Sequence, residues 1–407
     1  MDYKKIEGGG ITSPKGFLAG ATYCGFKSKN PEKPDLAVIY SEKEATCAAV
    51  FTTNVFCAAP VILDREILKK GKARAVVINS GIANAATGQK GIDNAKAVEK
   101  KAEELLGLGE DQVFVSSTGV IGQQLPVEKA LKGLEKIVPT LSREQGTDAA
   151  YAIMTTDTVK KESAMEVEFS GGKVTIGAMA KGSGMIHPNM ATMLVYITTD
   201  AKIEQAELQK YLSASVDDTF NMLSVDGDTS TNDSLFLIAN GASGVEIKTK
   251  EDKEKFAKLI KEICLDITLR IARDGEGATH MIVSHANNLP TDKDARLVAK
   301  SIVCSSLVKT AIYGKDANWG RIMAAAGYSG AKFDVSKADC FLESKAGKIA
   351  VMEGGFGTDF DEDKAKEILS EEEIYITVDL HDGDACATAY GCDLTYDYVK
   401  INGDYRS

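Results

Sequence analysis

Thr192 ends one kind of sequence and begins another. Before it lies a polar, glycine-loosened stretch, Lys181-Gly182-Ser183-Gly184-Met185-Ile186-His187-Pro188-Asn189-Met190-Ala191; after it comes an apolar run, Met193-Leu194-Val195-Tyr196-Ile197. Such a junction suits a nucleophile made by cutting the chain. If the bond between Ala191 and Thr192 breaks, the apolar strand holds the new terminus in the core while the preceding loop departs. A free α-amine has a pKa of about 7.7 to 8.0, so near neutrality a fraction of it can take the hydroxyl proton. One residue then supplies nucleophile and base. The plainer reading of the same letters is a loop entering a buried strand, with Thr192 present for its β-propensity.

A second segment, Ser116-Ser117-Thr118-Gly119-Val120-Ile121-Gly122, combines hydroxyls with glycines. It follows an expected strand, Gln112 to Ser116, and precedes a helix expected to start near Pro126, so it reads as a strand-to-helix turn. A turn of that kind offers backbone N–H and hydroxyl together to an oxyanion, and each such donor is worth roughly 3 to 4 kcal/mol in a transition state. A phosphate loop or an ordinary turn would look the same. Charged residues flank two further glycine clusters: Lys181 opens one, and Glu276 sits between Gly275 and Gly277 in Asp274-Gly275-Glu276-Gly277-Ala278-Thr279-His280. A lysine for a ligand carboxylate and a carboxylate for a ligand ammonium together fit an amino-acid substrate. Taken singly, each reads as a solvated surface charge.

The elements that must carry these residues alternate. Short β-branched runs predict strands at Leu36 to Tyr40, Ala73 to Ile78, Gln112 to Ser116, Thr192 to Thr198, Leu235 to Ala239 and Ile374 to Leu380. Helical spacing predicts helices at Asp93 to Leu106, Glu251 to Arg273 and Asp292 to Tyr313, the last stopped by Gly314. The mixture predicts an α/β (mixed α+β) class with helices covering the sheets. The 407 residues allow two or three domains or one large two-layer enzyme. A formal charge of -11 disfavours nucleic-acid phosphate as a partner. There is no apolar run of membrane-spanning length and no secretory h-region after Met1, so the expected address is the cytoplasm. Eight cysteines without paired C-x-x-C spacing read as reduced thiols, and four scattered histidines suggest no metal site.

Together these motifs resemble the ornithine acetyltransferases, the ArgJ family. The likeness runs nearly end to end, through Pro14-Lys15-Gly16-Phe17, Asn79-Ser80-Gly81, Ser116 to Gly122, Lys181 to Asp200, Asp226-Gly227-Asp228-Thr229-Ser230-Thr231-Asn232-Asp233, Asp274 to Thr279, Asn318-Trp319-Gly320-Arg321 and Cys392-Asp393-Leu394-Thr395, and the Met190-Ala191-Thr192-Met193-Leu194 junction is its most specific part. The resemblance implies a helix-covered β-sheet sandwich of the N-terminal-nucleophile-like type. It also implies self-cleavage between Ala191 and Thr192 into an α chain, residues 1 to 191, and a β chain, residues 192 to 407, paired as an α2β2 heterotetramer. The implied reaction is ping-pong: acetyl passes from N2-acetylornithine to Thr192 and then to glutamate, with Thr118 and Gly119 as the oxyanion hole. Thr155, Lys181, Thr192, Glu276, Asn402 and Ser407 are the implied substrate-binding residues, with Thr156 adjoining Thr155 as the other choice. No metal or organic cofactor is implied. Acetyl-CoA is a second acetyl donor if the chain is bifunctional.

Two positions depart from the family pattern. Gly81-Ile82-Ala83-Asn84-Ala85-Ala86 stands where Asn-Ala-Asn-Ala-Cys is usual, and His280 stands where a lysine is usual. Ile82 removes a hydrogen-bonding side chain, and His280 makes the local charge depend on pH. Two other readings remain open at this point: a different self-processed amidohydrolase or aminopeptidase that passes the acyl group to water, and an uncleaved amino-acid-binding protein.

Overall fold

A computed structural model describes residues 3–187 and 193–404. Helices and strands alternate through both of its compact units, which places the chain in the mixed α/β class. The first unit takes in described residues of Met1–Gly182, Asn189–Asp217 and Thr229–Ile267; the second takes in those of Ser183–Pro188, Asp218–Asp228 and Thr268–Ser407. Neither unit is a continuous run of sequence.

Among the described residues, the first unit holds two sheets. One has the order Lys4–Lys5, Lys161–Phe169, Gly172–Lys181, Leu194–Thr199, Ser234–Ala239 and Thr46–Phe51. The other runs Phe17–Thr22, Leu36–Ser41, Ala75–Ile82 and Val113–Val120. Strands Ala75–Ile82 and Val113–Val120 are parallel and joined through the helix Gly88–Leu106, and Leu194–Thr199 and Ser234–Ala239 are parallel through Gln205–Asp218. Parallel neighbours need such crossovers, and their strands are buried on both faces. The sequence runs accordingly: Val-Val-Ile, Val-Phe-Val and Leu-Val-Tyr-Ile have no polar alternation. Phe114 of one sheet meets Phe236 of the other at 4.7 Å between ring centroids, and Tyr196 stacks on Phe236 at 5.8 Å. The two sheets therefore share one core, to which each fully buried large side chain contributes about 1.5–3 kcal/mol.

Among the described residues, the second unit holds one sheet in the order Leu223–Ser224, Ala385–Cys392, Met281–Leu289, Glu373–Asp379, Asp339–Ser344, Gly347–Glu353 and Phe356–Gly357. Helix Asp292–Cys304 packs on Met281–Leu289 and Ala385–Cys392 through Ala295, Val298, Ala299, Ile302 and Val303.

Three expectations change. The helix expected over Asp292 to Tyr313 is two, Asp292–Cys304 and Ser306–Tyr313, because Ser305 turns extended and its hydroxyl accepts from the N–H of Val308 as a fresh N-cap. The helix expected from Asp93 starts at Gly88; its first turn, Gly-Gln-Lys-Gly, has too little propensity to announce itself. The turn expected at Ser116 to Gly122 is strand as far as Val120. The glycine there serves close backbone approach instead: Gly119 lies opposite Gly81 at φ +130°, and a Cβ on it would lie 2.2 Å from the Gly81 carbonyl carbon. No helix among the described residues is long and apolar enough to cross a membrane.

Candidate active site

Thr118 and Gly119 lie near the end of Val113–Val120, in register with Ser80 and Gly81 of the neighbouring strand. Two buried asparagines hold this strand end. Asn79 donates from Nδ2 to the carbonyl of Ile82 at 2.8 Å and accepts from Ser117 Oγ at 2.6 Å. Asn232 donates from Nδ2 to two carbonyls, Ala83 at 2.6 Å and Ser117 at 2.8 Å. These carbonyls are thereby satisfied away from water, which fixes the backbone just after Gly81 and just before Thr118.

Asn232 belongs to a run whose successive residues reach three places. Asn232 holds Ser117; the Asp233 carboxyl lies within the field of the Lys181 ammonium; and the N–H of Ser234 donates to the Met193 carbonyl at 2.9 Å. One short stretch thus ties the Thr118 strand, Lys181 and the residue after Thr192 into a single constellation within the first unit. Thr192 and Ala191 themselves lie outside the described residues, as does Ser407.

Lys181 is the last residue of Gly172–Lys181, pairs with Leu194, and is 8 % exposed. Its neighbour Asp157 has no exposed side-chain surface and forms an ion pair with Lys161 at 2.7 Å. Asp157 also accepts from the N–H of Gly182 at 2.7 Å and of Thr155 at 3.0 Å. Burial alone would raise the Asp157 pKa; the charges of Lys181 and Lys161 with these hydrogen bonds overcome it and lower the carboxyl to about 2. Asp233 goes the other way. It is fully enclosed, and burial pushes its pKa well above the usual carboxylate range despite help from Ser230 and Lys181. Two lysines thus face one aspartate held in its charged form and one whose charged form burial disfavours. Thr155 and Thr156 are both half-buried in a bend, not an extended strand, so strand alternation does not separate them.

The other expected residues lie in the second unit. Glu276 is 6 % exposed; its N–H donates to the Ser183 carbonyl at 3.0 Å, and its Oε2 accepts from Asn402 Nδ2 at 2.8 Å. Glu276 and Asn402 are thus brought together, with Asn402 on the helix Tyr396–Gly403. That helix sits close because Gly277 has no side chain: a Cβ there would lie 2.6 Å from the Tyr398 nitrogen. Asp393 fastens the far end of the same loop, accepting from the N–H of Thr279 at 2.9 Å and of His280 at 3.2 Å, and from His280 Nδ1 at 2.8 Å. Burial opposes charge on Asp393, but the bonds from His280 and Thr279 hold its pKa below the ordinary value.

Asn79, Asp157, Asn232, Asp233 and Asp393 are absent from the residues picked out by sequence for a chemical role. Asn79, Asn232, Asp233 and Asp393 stand inside motifs that carried the resemblance, and a polar residue locked among apolar strands is the signal that could have marked them.

A family model described as the ArgJ family matches residues 18–407. The chain is 53% identical over 406 residues to the arginine biosynthesis bifunctional protein ArgJ of Caldanaerobacter subterraneus subsp. tengcongensis, covering 99% of this chain and 100% of that protein. It is 51% identical over 399 residues to the protein of the same name from Thermotoga neapolitana, covering 97% and 99%. Among solved structures, the arginine biosynthesis bifunctional protein ArgJ of Bacillus halodurans is 45% identical, with a TM-score of 0.49 over 52% of this chain and 97% of that one.

Proposed function

This chain belongs to the ArgJ family and is an acetyltransferase of arginine biosynthesis, and we propose that it moves acetyl from N2-acetyl-L-ornithine to L-glutamate through Thr192. Self-cleavage between Ala191 and Thr192 frees the Thr192 amine. That amine takes the proton from its own Oγ as the oxygen attacks the acetyl carbonyl. The carbonyl oxygen becomes an oxyanion, held by Thr118 and the Gly119 N–H. The intermediate collapses by breaking the amide C–N bond; the proton goes to the leaving nitrogen, and ornithine departs from acetyl-Thr192. The glutamate amine then attacks the ester, Thr192 Oγ leaves with a proton, and N-acetylglutamate is released. The acetyl group is conserved, and no oxidant or ATP enters.

Substrate recognition divides by charge. Lys181, with Thr155, suits the α-carboxylate; Glu276, with Asn402 and Ser407, suits the side-chain ammonium. Further parts of the proposal are an α chain of 1 to 191 and a β chain of 192 to 407 joined as an α2β2 heterotetramer in the cytoplasm, no metal or organic cofactor, and acetyl-CoA as an additional acetyl donor.

The observation that supports this reading most is the Asn232-Asp233-Ser234 run, which ties the Thr118 strand, Lys181 and Met193 together. The test is to incubate the protein with N2-acetylornithine with and without glutamate. Sustained ornithine release that needs glutamate is expected, with no more than one equivalent per active site in its absence; repeated turnover without glutamate makes the chain an amidohydrolase. On a denaturing gel, wild type should run as two bands and Thr192→Ala as one. Active wild type that stays a single chain would overturn the mechanism.

A further inference from the structure

The Asp226-Gly227-Asp228 segment helped carry the family likeness without receiving a task. In the second unit its carboxylate has one. Asp226 Oδ2 accepts from the N–H of Met185 at 2.6 Å, and Oδ1 accepts from the N–H of Ile186 at 2.9 Å and of Asp228 at 3.2 Å. The Ile186 carbonyl accepts in turn from the N–H of Val225 at 2.7 Å. Met185 is held at φ +55°, a conformation that L side chains rarely adopt and that persists only when its surroundings impose it. The two carboxylate bonds to residues 185 and 186 are what impose it.

The same short segment forms the wall against Glu276. The Ser183 carbonyl accepts from the Glu276 N–H at 3.0 Å, and Ser183 Oγ donates to the Asp274 carbonyl at 2.6 Å. Gly184 lies so close that a Cβ on it would stand 2.2 Å from Glu276 Cδ and Oε2. The Asp226 carboxyl also interacts with the phenol of Tyr398, on the helix that carries Asn402. Asp226 thus connects three things inside one unit: residues 183–187 that lead to the junction, the loop of Glu276, and the helix of Asn402.

We propose that Asp226 is a positioning residue for both events assigned to this chain, fixing residues 183–187 for cleavage at Ala191–Thr192 and keeping Gly184 against Glu276 for substrate binding. The proposal rests on reading that bond as the scissile one. Intramolecular attack is fast only when few conformers compete with the reactive one, and releasing residues 185 and 186 multiplies the competitors. Substrate affinity follows through Glu276, whose carboxylate loses its backing; the acyl-transfer step does not involve Asp226.

The experiment compares Asp226→Ala and Asp226→Asn with wild type. Cleavage of freshly translated precursor is followed on denaturing gels; KM and kcat for N2-acetylornithine are measured after cleavage has finished, and thermal midpoints are recorded beside them. Asp226→Ala should cleave about tenfold more slowly or worse. Asp226→Asn, which keeps one acceptor oxygen, should fall between it and wild type. Each cleaved variant should show KM raised about tenfold with kcat within about twofold, a split that mere loss of stability does not produce. If Asp226→Ala does not fold, Asp226→Asn decides. Wild-type cleavage rates, or a fall in kcat with KM unchanged, would overturn the proposal. A wild type that never yields two bands refutes the scissile-bond reading instead, which keeps the two failures apart.

Discussion

The strand end that carries Thr118 and the loops of the second unit are fastened by opposite chemistry. In the first, asparagine amides donate to backbone carbonyls: Asn79 to Ile82, and Asn232 to Ala83 and Ser117. In the second, aspartate carboxylates accept from backbone N–H groups: Asp226 from Met185 and Ile186, Asp393 from Thr279 and His280. Either kind of bond can pin a loop. Only the first adds no negative charge, and the strand it pins carries Thr118 and Gly119, where an oxyanion must develop. A carboxylate in that position would oppose the transition state in a medium where charges act strongly. Of the acids close by, Asp233 and Asp64, whose Oδ1 accepts from the N–H of Val115 on the same strand, are pushed toward their neutral forms by burial, while Asp157 is matched by two lysines. Beside Glu276, fastening by anions costs nothing of the kind, since the group it is assigned to meet is a cation.

The largest effect that sharpens this contrast is expected at Asp157. Asp157→Asn leaves the Lys161 ammonium enclosed and Lys181 without its counter-charge; removing one partner of a buried pair destabilises by about 3–5 kcal/mol. Urea titration at pH 7 reads this as a lower midpoint. The folded pKa of Asp157, about 2, lies below its unfolded value, so its contribution is complete above the unfolded pKa and is lost as pH falls toward 2. Roughly 2 kcal/mol of the gap between wild type and variant should therefore close between about pH 4 and pH 2. A gap that does not change with pH would mean that Asp157 is not the charged member of the cluster.

Next comes Thr118→Ala. Loss of an oxyanion donor lowers kcat by about 100- to 1000-fold while leaving KM within about twofold, because the interaction exists only in the transition state. An unchanged kcat in steady-state assays would remove the reason for keeping that strand free of anions. Glu276→Gln, in the other unit, should act on binding: replacing a charge-assisted contact to an ammonium costs about 2 kcal/mol, or roughly a thirtyfold rise in KM for N2-acetylornithine, with kcat little altered. If KM holds and kcat falls, Glu276 belongs to the chemistry and the division of labour between the units fails.

The first unit was the more legible of the two in sequence, and the burial of its strands is the reason. Strands buried on both faces leave unbroken apolar runs, so Leu36 to Tyr40 and Leu235 to Ala239 are recovered almost to the residue. Met281–Leu289, central to the second sheet, was missed because His285, Asn287 and Asn288 break its apolar run with polar side chains. Glycines misled in one place: at Gly119 they mark two backbones in contact, which sequence cannot tell from a turn. Lys181 and Glu276 could be named because their charges stand beside glycines. Asp157 could not, since its meaning comes from Lys161, Gly182 and Thr155 meeting it in space. The interleaving of the units was equally hidden: the contacts that make residues 183–187 part of the second one come from Ser224, Val225, Asp226 and Asp274, none of them local.

The smallest expected effect is the strictest check on the contrast. Asp233→Asn replaces a carboxyl by a neutral group of nearly the same shape. Were Asp233 ionised, the change would remove a buried negative charge beside Lys181 and alter stability and kcat together, by the kilocalories that buried charges command. Since burial holds the acid well above the ordinary carboxylate pKa, the variant should instead keep its unfolding free energy within about 0.5 kcal/mol and its kcat within about twofold at pH 7. The same substitution at Asp157, one acid away from the same lysine, is expected to cost several kilocalories. Equal effects at the two positions would show that Lys181 faces two charged carboxylates, and the oxyanion strand would no longer stand in a region cleared of negative charge.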